Sequence, residues 1–192
     1  MSDPSNGYDA RSDDFIRVRS QVGRDVVARW ADSLPDGAAV IDIGAGDGAP
    51  VTRALVDAAL QVWAVDASPR MVAAFQRNLP NVPVACETVE RGRFFDRHFD
   101  GAVAIGLMFL LPEDTQVHLI RSVADILVPG GQFLFTAPQD AVTWDDALTG
   151  QPSLSLGDGR YRALLADAGF DRVATCVDAG GNHYFAARNA GT

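Results

Sequence analysis

The chain has 192 residues, of which 47% are hydrophobic and 21% are charged, a composition typical of one globular domain with a substantial core. Its formal net charge of −9 argues against nucleic acid as a partner, because sequence-independent binding to nucleic acid needs a basic face. The two cysteines, Cys86 and Cys176, are too far apart for a zinc ribbon, and they suit a reducing cytoplasm rather than a disulfide framework.

The N-terminal part of the chain is predicted to be helical. Its first fourteen residues are polar and acidic, without a basic start or an apolar run, so we expect no secretory signal and a cytoplasmic location. Residues 13–32 place apolar side chains at helical spacing, which predicts a helix. The turn-forming residues 33–37 end it, and residues 1–35 are expected to form a helical cap on the domain that follows.

From residue 38 onward, apolar strands alternate with amphipathic helices. This alternation predicts an α/β fold in which a parallel sheet is covered by helices on both faces. The longest apolar stretch, 101–111, is too short to cross a bilayer, so no membrane association is expected. The predicted strands are 38–43, 61–65, 82–86, 99–105 and 132–137, and the predicted helices are 50–60, 69–78 and 113–127, with a turn at 129–131.

The C-terminal part departs from this rhythm. A helix is predicted over 159–168, ending at Gly169, since glycine commonly follows a helix C-terminus. Strands 171–177 and 182–188 follow, joined by four turn-forming residues, which predicts a β-hairpin and hence an antiparallel neighbour in the sheet. Residues 139–159 are rich in turn formers and are interpreted either as a lid over the site or as an unspecialised loop.

The segment VIDIGAGDGAP, residues 40–50, points to a bound ligand. Glycines at three alternate positions indicate a backbone that passes very close to another group. With Ala49 the loop satisfies the weak G-x-G-x-x-A pattern of dinucleotide-binding proteins, and Asp66 lies 22 residues beyond Gly44, near the spacing of their ribose-binding acid. Asp42 favours another ligand, because a carboxylate there is idle beside a pyrophosphate but suits an ammonium group. The loop alone leaves a dinucleotide and a nucleoside carrying an amino acid both open.

Five segments follow one another in a recognisable order: VIDIGAGDG with the pattern D-x-G-x-G-x-G, AVDAS with Met71, CETVE, LVPGGQFLF and LADAGF. In this ordered set the chain resembles the class I S-adenosylmethionine-dependent methyltransferases, from about residue 36 to near its end. The resemblance implies a single domain over 1–192, folded as a Rossmann-like three-layer sandwich. Its sheet is expected to have seven mostly parallel strands in the order 3-2-1-4-5-7-6, with the last strand antiparallel.

The resemblance implies S-adenosylmethionine as the cofactor, without a metal. Asp42 would anchor the methionine end or only tie down the loop, and Asp66 would accept hydrogen bonds from the ribose hydroxyls or cap the next helix. Met71 would pack against adenine unless it is simply core, and Glu87 would accept from the adenine amine unless Cys86 or a backbone group does. The full predicted set is Asp42, Gly44, Ala45, Gly46, Gly48, Asp66, Ala67, Met71, Glu87 and Gly106.

The methyl acceptor is predicted to lie at the edge of the sheet where the last strand begins. Ligands bind at the carboxyl ends of parallel strands, and an antiparallel last strand starts at that edge, which brings Asn182, His183 and Tyr184 there. His183 is the candidate base or substrate partner, with a structural histidine as the alternative; methyl transfer needs a base only for some acceptors. The remaining candidates for substrate contact are Tyr8, Arg19 and Trp144.

The predicted function is S-adenosylmethionine-dependent methyl transfer to a small molecule by in-line displacement. The fourth strand continues as AIGLMFLLP, without the DPPY- or NPPY-like tetrapeptide of many base-modifying members, which disfavours nucleic-acid bases and amide nitrogens. Two alternatives stay open: an NAD(P)-dependent oxidoreductase with the same loop, and a protein that binds S-adenosylmethionine without catalysis. A monomer or a homodimer is expected.

Overall fold

The computed structural model describes residues 5–191 of the chain. A seven-stranded sheet forms the middle layer, and two further strands form a separate hairpin. The strands are β1 (Ala39–Ile43), β2 (Gln61–Asp66), β3 (Val84–Cys86), β4 (Phe99–Ala104), β5 (Leu127–Thr136), β6 (Ala141–Asp145), β7 (Pro152–Leu156), β8 (Phe170–Val177) and β9 (His183–Asn189). The helices are α1 (Ser12–Val18), α2 (Arg24–Ala31), α3 (Val51–Asp57), α4 (Pro69–Asn78), α5 (Glu113–Ile126) and α6 (Asp158–Asp167).

The strands of the large sheet lie in the order β3-β2-β1-β4-β5-β9-β8. β9 runs antiparallel to β5 and β8, and the other neighbours are parallel. When the hairpin strands β6 and β7 are left out of the numbering, this is the predicted order 3-2-1-4-5-7-6, so the predicted fold is confirmed. The direction of winding changes between β1 and β4, and α/β sheets bind ligands beyond the carboxyl ends of the strands at such a point.

Alternate side chains of the strands pack against helices on opposite faces of the sheet. Val40 belongs to a hydrophobic cluster with Val27 of α2 and Leu55 of α3, whereas its neighbour Ile41 belongs to a cluster with Leu119 of α5. This two-residue period is what a strand buried on both faces requires, and it produces the three layers. Within the described residues, no helix is both long enough and apolar enough to span a membrane.

The N-terminal region forms two short helices, which corrects the single helix predicted over 13–32. α1 and α2 are separated by residues 19–23, and Gly23 precedes α2 with a φ of +88°. A side chain at Gly23 would collide with the hydroxyl group of Tyr184, so a tertiary contact helps to determine the break. α2 packs into the sandwich, whereas residues 5–19 lie over the cavity described below.

The turn predicted at 129–131 lies inside β5. Leu127 of β5 pairs with Phe99 of β4, and the next pair joins Gln132 to Gly101. Five steps along β5 therefore match two steps along β4, and Gly130, with a φ of +81°, lies in this irregularity. Proline and glycine mark a bulge within a strand here, which is one of the positions where a sheet tolerates them.

Residues 139–159, interpreted from the sequence as a lid or a loop, contain the β6–β7 hairpin and the start of α6. Gln116 Nε2 donates a hydrogen bond to the carbonyl oxygen of Leu154 at 2.9 Å. Ser155 Oγ donates to the carbonyl oxygen of Pro138 at 2.7 Å. The segment is therefore regular structure that is hydrogen-bonded to the rest of the domain. Its two short strands were not predicted, because turn-forming residues are so frequent around them.

Candidate functional site

The carboxyl ends of β1, β2 and β4 meet around a cavity of about 230 Å³, which we call the glycine-loop cavity. Its wall combines residues of the predicted cofactor set with residues of the N-terminal segment that covers it. The predicted residues in the wall are Gly44, Gly46, Asp66, Ala67, Met71 and Gly106, and the covering residues include Tyr8, Phe15 and Arg19. Residues that are distant in the chain are thus adjacent at the switch point of the sheet.

Gly46 joins the loop to the end of β2. Its φ of +58° lies in the left-handed region that favours glycine, and a Cβ atom here would lie 2.8 Å from Arg19 Nη1. The amide of Gly46 donates a hydrogen bond to Asp66 Oδ2 at 2.8 Å. A side chain at this position would therefore take up space at the cavity wall.

Gly48 contributes to packing and lies outside the cavity wall. Its φ is +87°, and a Cβ atom would lie 2.6 Å from Leu79 Cδ1 and 3.0 Å from the ring of Phe75. Ala45 is buried in the same small cluster as Phe75 and Leu79. Gly48 and Ala45 therefore pack the loop against α4 and Leu79, and their contact with a cofactor stays a prediction.

Asp66 ends β2 with both carboxylate oxygens held in place. Oδ2 accepts from the amide of Gly46 and Oδ1 from the amide of Ser68, each at 2.8 Å. Burial raises the pKa of Asp66, while these two hydrogen bonds and the charge of Arg19 oppose the rise. Each carboxylate oxygen has a further lone pair, so this group can also accept hydrogen bonds from ligand hydroxyls.

Asp42 lies beneath the loop and outside the cavity wall. Its side chain is buried, and Oδ2 accepts a hydrogen bond of 2.5 Å from Thr52 Oγ1. Burial raises the pKa of Asp42 to about 6, against the opposing effects of the Thr52 hydrogen bond and the charge of Arg19. Of the two roles predicted for Asp42, this geometry favours the one in which it ties down the loop, here by joining β1 to α3.

Glu87 also lies outside the wall. Its Oε2 accepts a hydrogen bond from the amide of Arg93 at 2.9 Å, and its own amide donates to the carbonyl oxygen of Asp66. Cys86, the other candidate beside adenine, is exposed. Contact between Glu87 and a ligand stays a prediction. In this structure the Glu87 carboxylate stabilises the loop of residues 87–93 by accepting the hydrogen bond from Arg93.

The start of α4 carries Met71 to the cavity. Ser68 caps the helix by accepting a hydrogen bond from the Met71 amide at 3.1 Å, and Pro69 occupies the first helical position. Met71 is a core residue and also lines the cavity. Its place in the core is therefore compatible with a position at the cavity wall, and its contact with adenine stays a prediction.

Arg19 brings a positive charge to the cavity wall. Its Nη1 lies 2.8 Å from Asp47 Oδ1, and its guanidinium lies 5.0 Å from the centre of the Phe15 ring. The Arg19 side chain is 15% exposed and that of Asp47 is 7% exposed, so the ion pair is shielded from water. Arg19 was predicted to contact the substrate, and in the structure it lies over Gly46 of the glycine loop. Sequence reasoning missed Asp47, although an acid between two glycines of the loop is a visible signal.

The N-terminal residues 5–19, which we call the strap, are held by two neighbouring residues that contact different parts of the domain. Tyr8 Oη donates a hydrogen bond to Asp146 Oδ2 at 3.1 Å, and Asp146 lies between β6 and β7. Asp9 Oδ1 accepts a hydrogen bond from Ser68 Oγ at 2.7 Å, at the start of α4. The strap therefore connects the hairpin to the end of β2 above the glycine-loop cavity.

A second cavity, of about 430 Å³, lies between the β6 strand and the start of β9, and we call it the hairpin cavity. Phe109 borders both cavities, so the two adjoin. The amide of Gly106, in the wall of the first, donates a hydrogen bond of 2.7 Å to Oγ1 of Thr136, in the wall of the second. The predicted residues in its wall are Trp144, Asn182 and His183.

Neighbouring side chains of β9 point to opposite faces of the sheet. His183 lines the hairpin cavity with its ring 4.9 Å from that of Phe185, and its Nε2 is buried with no hydrogen-bond partner in the described chain. Tyr184 is 1% exposed, packs in the cluster of the other face and donates a hydrogen bond to Asp178 Oδ2 at 2.8 Å. The period of the strand turns Tyr184 away from the hairpin cavity, and its contact with a substrate stays an untested prediction.

The central part of the sheet also matches a known protein family. Residues 40–131, from β1 into β5, match a family model described as a methyltransferase domain. Over these residues the chain is similar to a methyltransferase domain. No protein of curated function matches the chain in sequence.

Solved structures share the fold along most of this chain. The CcbJ methyltransferase from Streptomyces caelestis has a TM-score of 0.76 and 17% identity, with 100% of both chains covered. Magnesium protoporphyrin IX methyltransferase from Synechocystis PCC 6803, with bound S-adenosylmethionine, has a TM-score of 0.73 and 16% identity, with 98% of each chain covered. CalS10, an amino pentose methyltransferase from Micromonospora echinaspora with bound S-adenosylmethionine, has a TM-score of 0.70 and 18% identity, covering 90% of this chain and 93% of that one.

The family match bears on the choice between the two classes of enzyme that share such a loop. A methyltransferase domain is favoured over the NAD(P)-dependent oxidoreductase, because the matched residues include the glycine loop itself and the strand that ends in Asp66. Within residues 5–191, no three His, Cys, Asp or Glu side chains are grouped as they would be around a metal ion.

Proposed function

We propose that the methyltransferase domain binds S-adenosylmethionine in the glycine-loop cavity and transfers its methyl group to a small molecule. The observation that carries this proposal is the position of the Asp66 carboxylate. Two backbone amides fix it in the wall of the glycine-loop cavity, which also contains Gly46 and Met71. The Synechocystis and Micromonospora structures of the same fold contain S-adenosylmethionine, which supports the same cofactor here.

The wall offers a contact to each part of this nucleoside. Asp66 accepts hydrogen bonds from the ribose hydroxyls through the lone pairs that the two backbone amides leave free. Met71 packs against adenine with its flexible, polarisable thioether. Gly44 and Gly46 allow the methionine part to approach the backbone, since neither has a Cβ atom.

The methionine end carries a carboxylate and an ammonium group, and each needs a partner of opposite charge. The Arg19–Asp47 pair presents both charges side by side, at 2.8 Å, where Arg19 crosses the glycine loop. We assign the carboxylate to Arg19 and the ammonium group to Asp47. Asp42 then acts from beneath the loop, through its hydrogen bond to Thr52.

Ligand binding requires the strap to move outward. The glycine-loop cavity, at about 230 Å³, is smaller than the range of roughly 300–1,000 Å³ that holds drug-sized ligands. Arg19 also lies where the methionine part approaches Gly46. The strap is attached by hydrogen bonds and ion pairs of its own residues, so we expect it to open and close again over the bound nucleoside.

When bound, S-adenosylmethionine supplies a methyl group on a positively charged sulfur, which is already an activated electrophile. The residues of the chain therefore mainly position the two reactants and exclude water. Leu107, Phe109 and Leu110 give the cavity an apolar side. Phe109 also borders the hairpin cavity, which marks the direction from which an acceptor approaches.

Calorimetric titration of the full chain with S-adenosylmethionine, S-adenosylhomocysteine and NADH tests the proposed cofactor. Binding of the two sulfur nucleosides and none of NADH supports it, and binding of NADH alone contradicts it. Release of S-adenosylhomocysteine in the presence of an acceptor then separates an enzyme from a protein that only binds the nucleoside.

A cytoplasmic location is part of this proposal. Cys86 and Cys176 are both free thiols at the surface, which suits a reducing compartment. Cell fractionation followed by detection of the chain tests it, and recovery in a secreted or membrane fraction would contradict it.

A further inference from the structure

The wall of the hairpin cavity carries no formal charge. Its residues include Phe109, Trp144, Val177, Asn182 and His183, and none of the described residues that line it is Asp, Glu, Lys or Arg. A charged group that leaves water needs an opposite charge or several hydrogen bonds in return. The cavity therefore favours an uncharged ligand, although the chain as a whole carries a net charge of −9.

Two aromatic rings form one side of the cavity. Phe109 and Trp144 lie with ring centres 5.5 Å apart and planes inclined at 43°, and Trp144 comes from the hairpin strand β6. Ala137, Pro138 and Val177 continue this apolar side. Aromatic walls of this kind favour planar ring compounds, which gain dispersion and stacking energy against them.

One polar atom at this cavity lacks a partner. Nε2 of His183 is buried and makes no hydrogen bond to the described residues, and an unpaired buried nitrogen is costly to a folded protein. The terminal torsion of a histidine side chain is broad, so a modest rotation of the ring presents Nε2 to a ligand. A hydroxyl group donating to Nε2 would remove the cost.

The hairpin cavity adjoins the place where the methyl donor is proposed to lie. Phe109 is common to the two walls, and the Gly106–Thr136 hydrogen bond ties the two edges together at 2.7 Å. A volume of about 430 Å³ lies within the range of sites that hold ring compounds of drug size. An acceptor held against Trp144 and His183 is thus next to the cofactor site.

We infer that the hairpin cavity binds an uncharged aromatic alcohol as methyl acceptor and that His183 takes up the hydroxyl proton, an inference that rests on the proposed function. The acceptor oxygen forms a bond to the methyl carbon while the carbon–sulfur bond breaks, and the electron pair of that bond goes to sulfur. The hydroxyl proton passes to Nε2 of His183 and from there to solvent. The products are the methyl ether and S-adenosylhomocysteine.

Three probes with the same ring system test the class of acceptor: 2-naphthol, 2-naphthoate and 2-naphthylmethylamine. Their binding to the full chain saturated with S-adenosylhomocysteine is measured by calorimetry, and their turnover by release of S-adenosylhomocysteine from S-adenosylmethionine. We expect 2-naphthol to bind and to be methylated in preference to the anionic and cationic probes. Preference for either charged probe, or no response to 2-naphthol, overturns the inference.

Two variants test the residues. His183→Gln keeps a hydrogen-bonding group but cannot take up a proton, so kcat for 2-naphthol should fall by at least about 100-fold with little change in KM. Trp144→Ala should weaken binding of 2-naphthol by roughly five- to tenfold, and Trp144→Phe should restore most of it. His118→Gln is the matched control, because His118 is exposed on α5.

Titration with S-adenosylmethionine and S-adenosylhomocysteine separates failure of the proposed function from failure of the inference about the acceptor. If the chain binds neither sulfur nucleoside, the proposed function fails before any acceptor is tested. If both nucleosides bind normally to wild type and to His183→Gln, but kcat is the same in the two proteins, the role of His183 is contradicted while the proposed function stands.

Discussion

Tyr8 and Asp146 lie 138 positions apart in the chain, yet the hydroxyl of Tyr8 donates a hydrogen bond of 3.1 Å to Oδ2 of Asp146. Burial raises the pKa of Tyr8, and the charge and hydrogen bond of Asp146 raise it further, so the phenol stays a donor. Although partial burial acts in the opposite direction, hydrogen bonds from Thr149, Tyr8 and Leu148 lower the pKa of Asp146. The strap and the hairpin are therefore joined by a charge-assisted contact beside the proposed cofactor cavity.

Tyr8→Phe should loosen the strap without disturbing the sandwich. The loss of one hydrogen bond to a carboxylate should cost about 1–2 kcal/mol of local stability, and residues 5–19 should exchange their amide hydrogens faster. Hydrogen exchange followed by mass spectrometry measures this. Asp145→Asn, one position from Asp146 and exposed, is the control and should leave the strap unchanged.

A double-mutant cycle with Asp146→Ala isolates the contact itself. The two substitutions should be less than additive, because each removes the same hydrogen bond. Strict additivity would show that the strap is held by its other contacts, such as the one between Asp9 and Ser68.

Asp42→Asn should change how stability depends on pH. The pKa of Asp42 is raised by burial from its ordinary 3.8 to about 6, so the folded protein binds more protons than the unfolded chain between these values. The wild type should therefore lose up to about 3 kcal/mol of stability from this group as the pH rises through that window. In Asp42→Asn this loss should disappear, while Thr52 can still donate to the amide oxygen.

Urea unfolding of wild type and Asp42→Asn near pH 4 and pH 8 measures the effect. The change in the free energy of unfolding between the two pH values is compared between the two proteins. Asp125→Asn, at an exposed acid on α5, provides the control. The same variant also separates the two predicted roles of Asp42: normal affinity for S-adenosylhomocysteine agrees with a part beneath the loop, and a large loss of affinity would return Asp42 to direct contact with the ligand.

Asp66→Asn should weaken the binding of S-adenosylhomocysteine by roughly 10- to 100-fold, because a hydrogen bond to a charged group contributes about 1.5–3 kcal/mol. An asparagine has one acceptor oxygen for the two amides of Gly46 and Ser68, so the loop should also loosen. Calorimetry gives the affinity. Affinity equal to that of wild type would remove the ribose assignment from Asp66.

Gly46→Ala and Gly48→Ala should have different consequences although the two positions are two residues apart. Gly48→Ala drives a methyl group into Leu79 and Phe75 and should cost about 1–3 kcal/mol of stability, with normal affinity in the folded fraction. Gly46→Ala pushes against the flexible side chain of Arg19 at the cavity wall, so its affinity for S-adenosylhomocysteine should fall further. Unfolding curves and titrations on both variants check the contrast, which an equal loss of affinity would contradict.

The local patterns of the sequence determined the type of fold. Alternating apolar strands and amphipathic helices, the glycine loop at 40–50 and the terminal hairpin are short-range features, and they predicted a parallel sheet that ends in an antiparallel hairpin. The strand order itself was implied by the resemblance to class I methyltransferases. The same resemblance implied six of the residues that line the glycine-loop cavity, which lies where parallel sheets bind ligands, at the carboxyl ends of the strands. The β6–β7 hairpin was beyond this reasoning, since turn-forming residues outnumber the strand formers around it.

Only the tertiary structure decided which side chains face the cavities. β9 is covered on both faces, so its sequence carries no sign of which face His183 or Tyr184 takes; the pairing of Tyr184 with Thr136 settles it. Arg19 lies over the glycine loop, where it pairs with Asp47, and the helix break that follows it is near Gly23, where the hydroxyl of Tyr184 occupies the space of a side chain. Periodicity is a property of neighbouring residues. Which face of the sheet each side chain of a strand takes, and where the strap lies, depend on contacts between residues far apart in the chain.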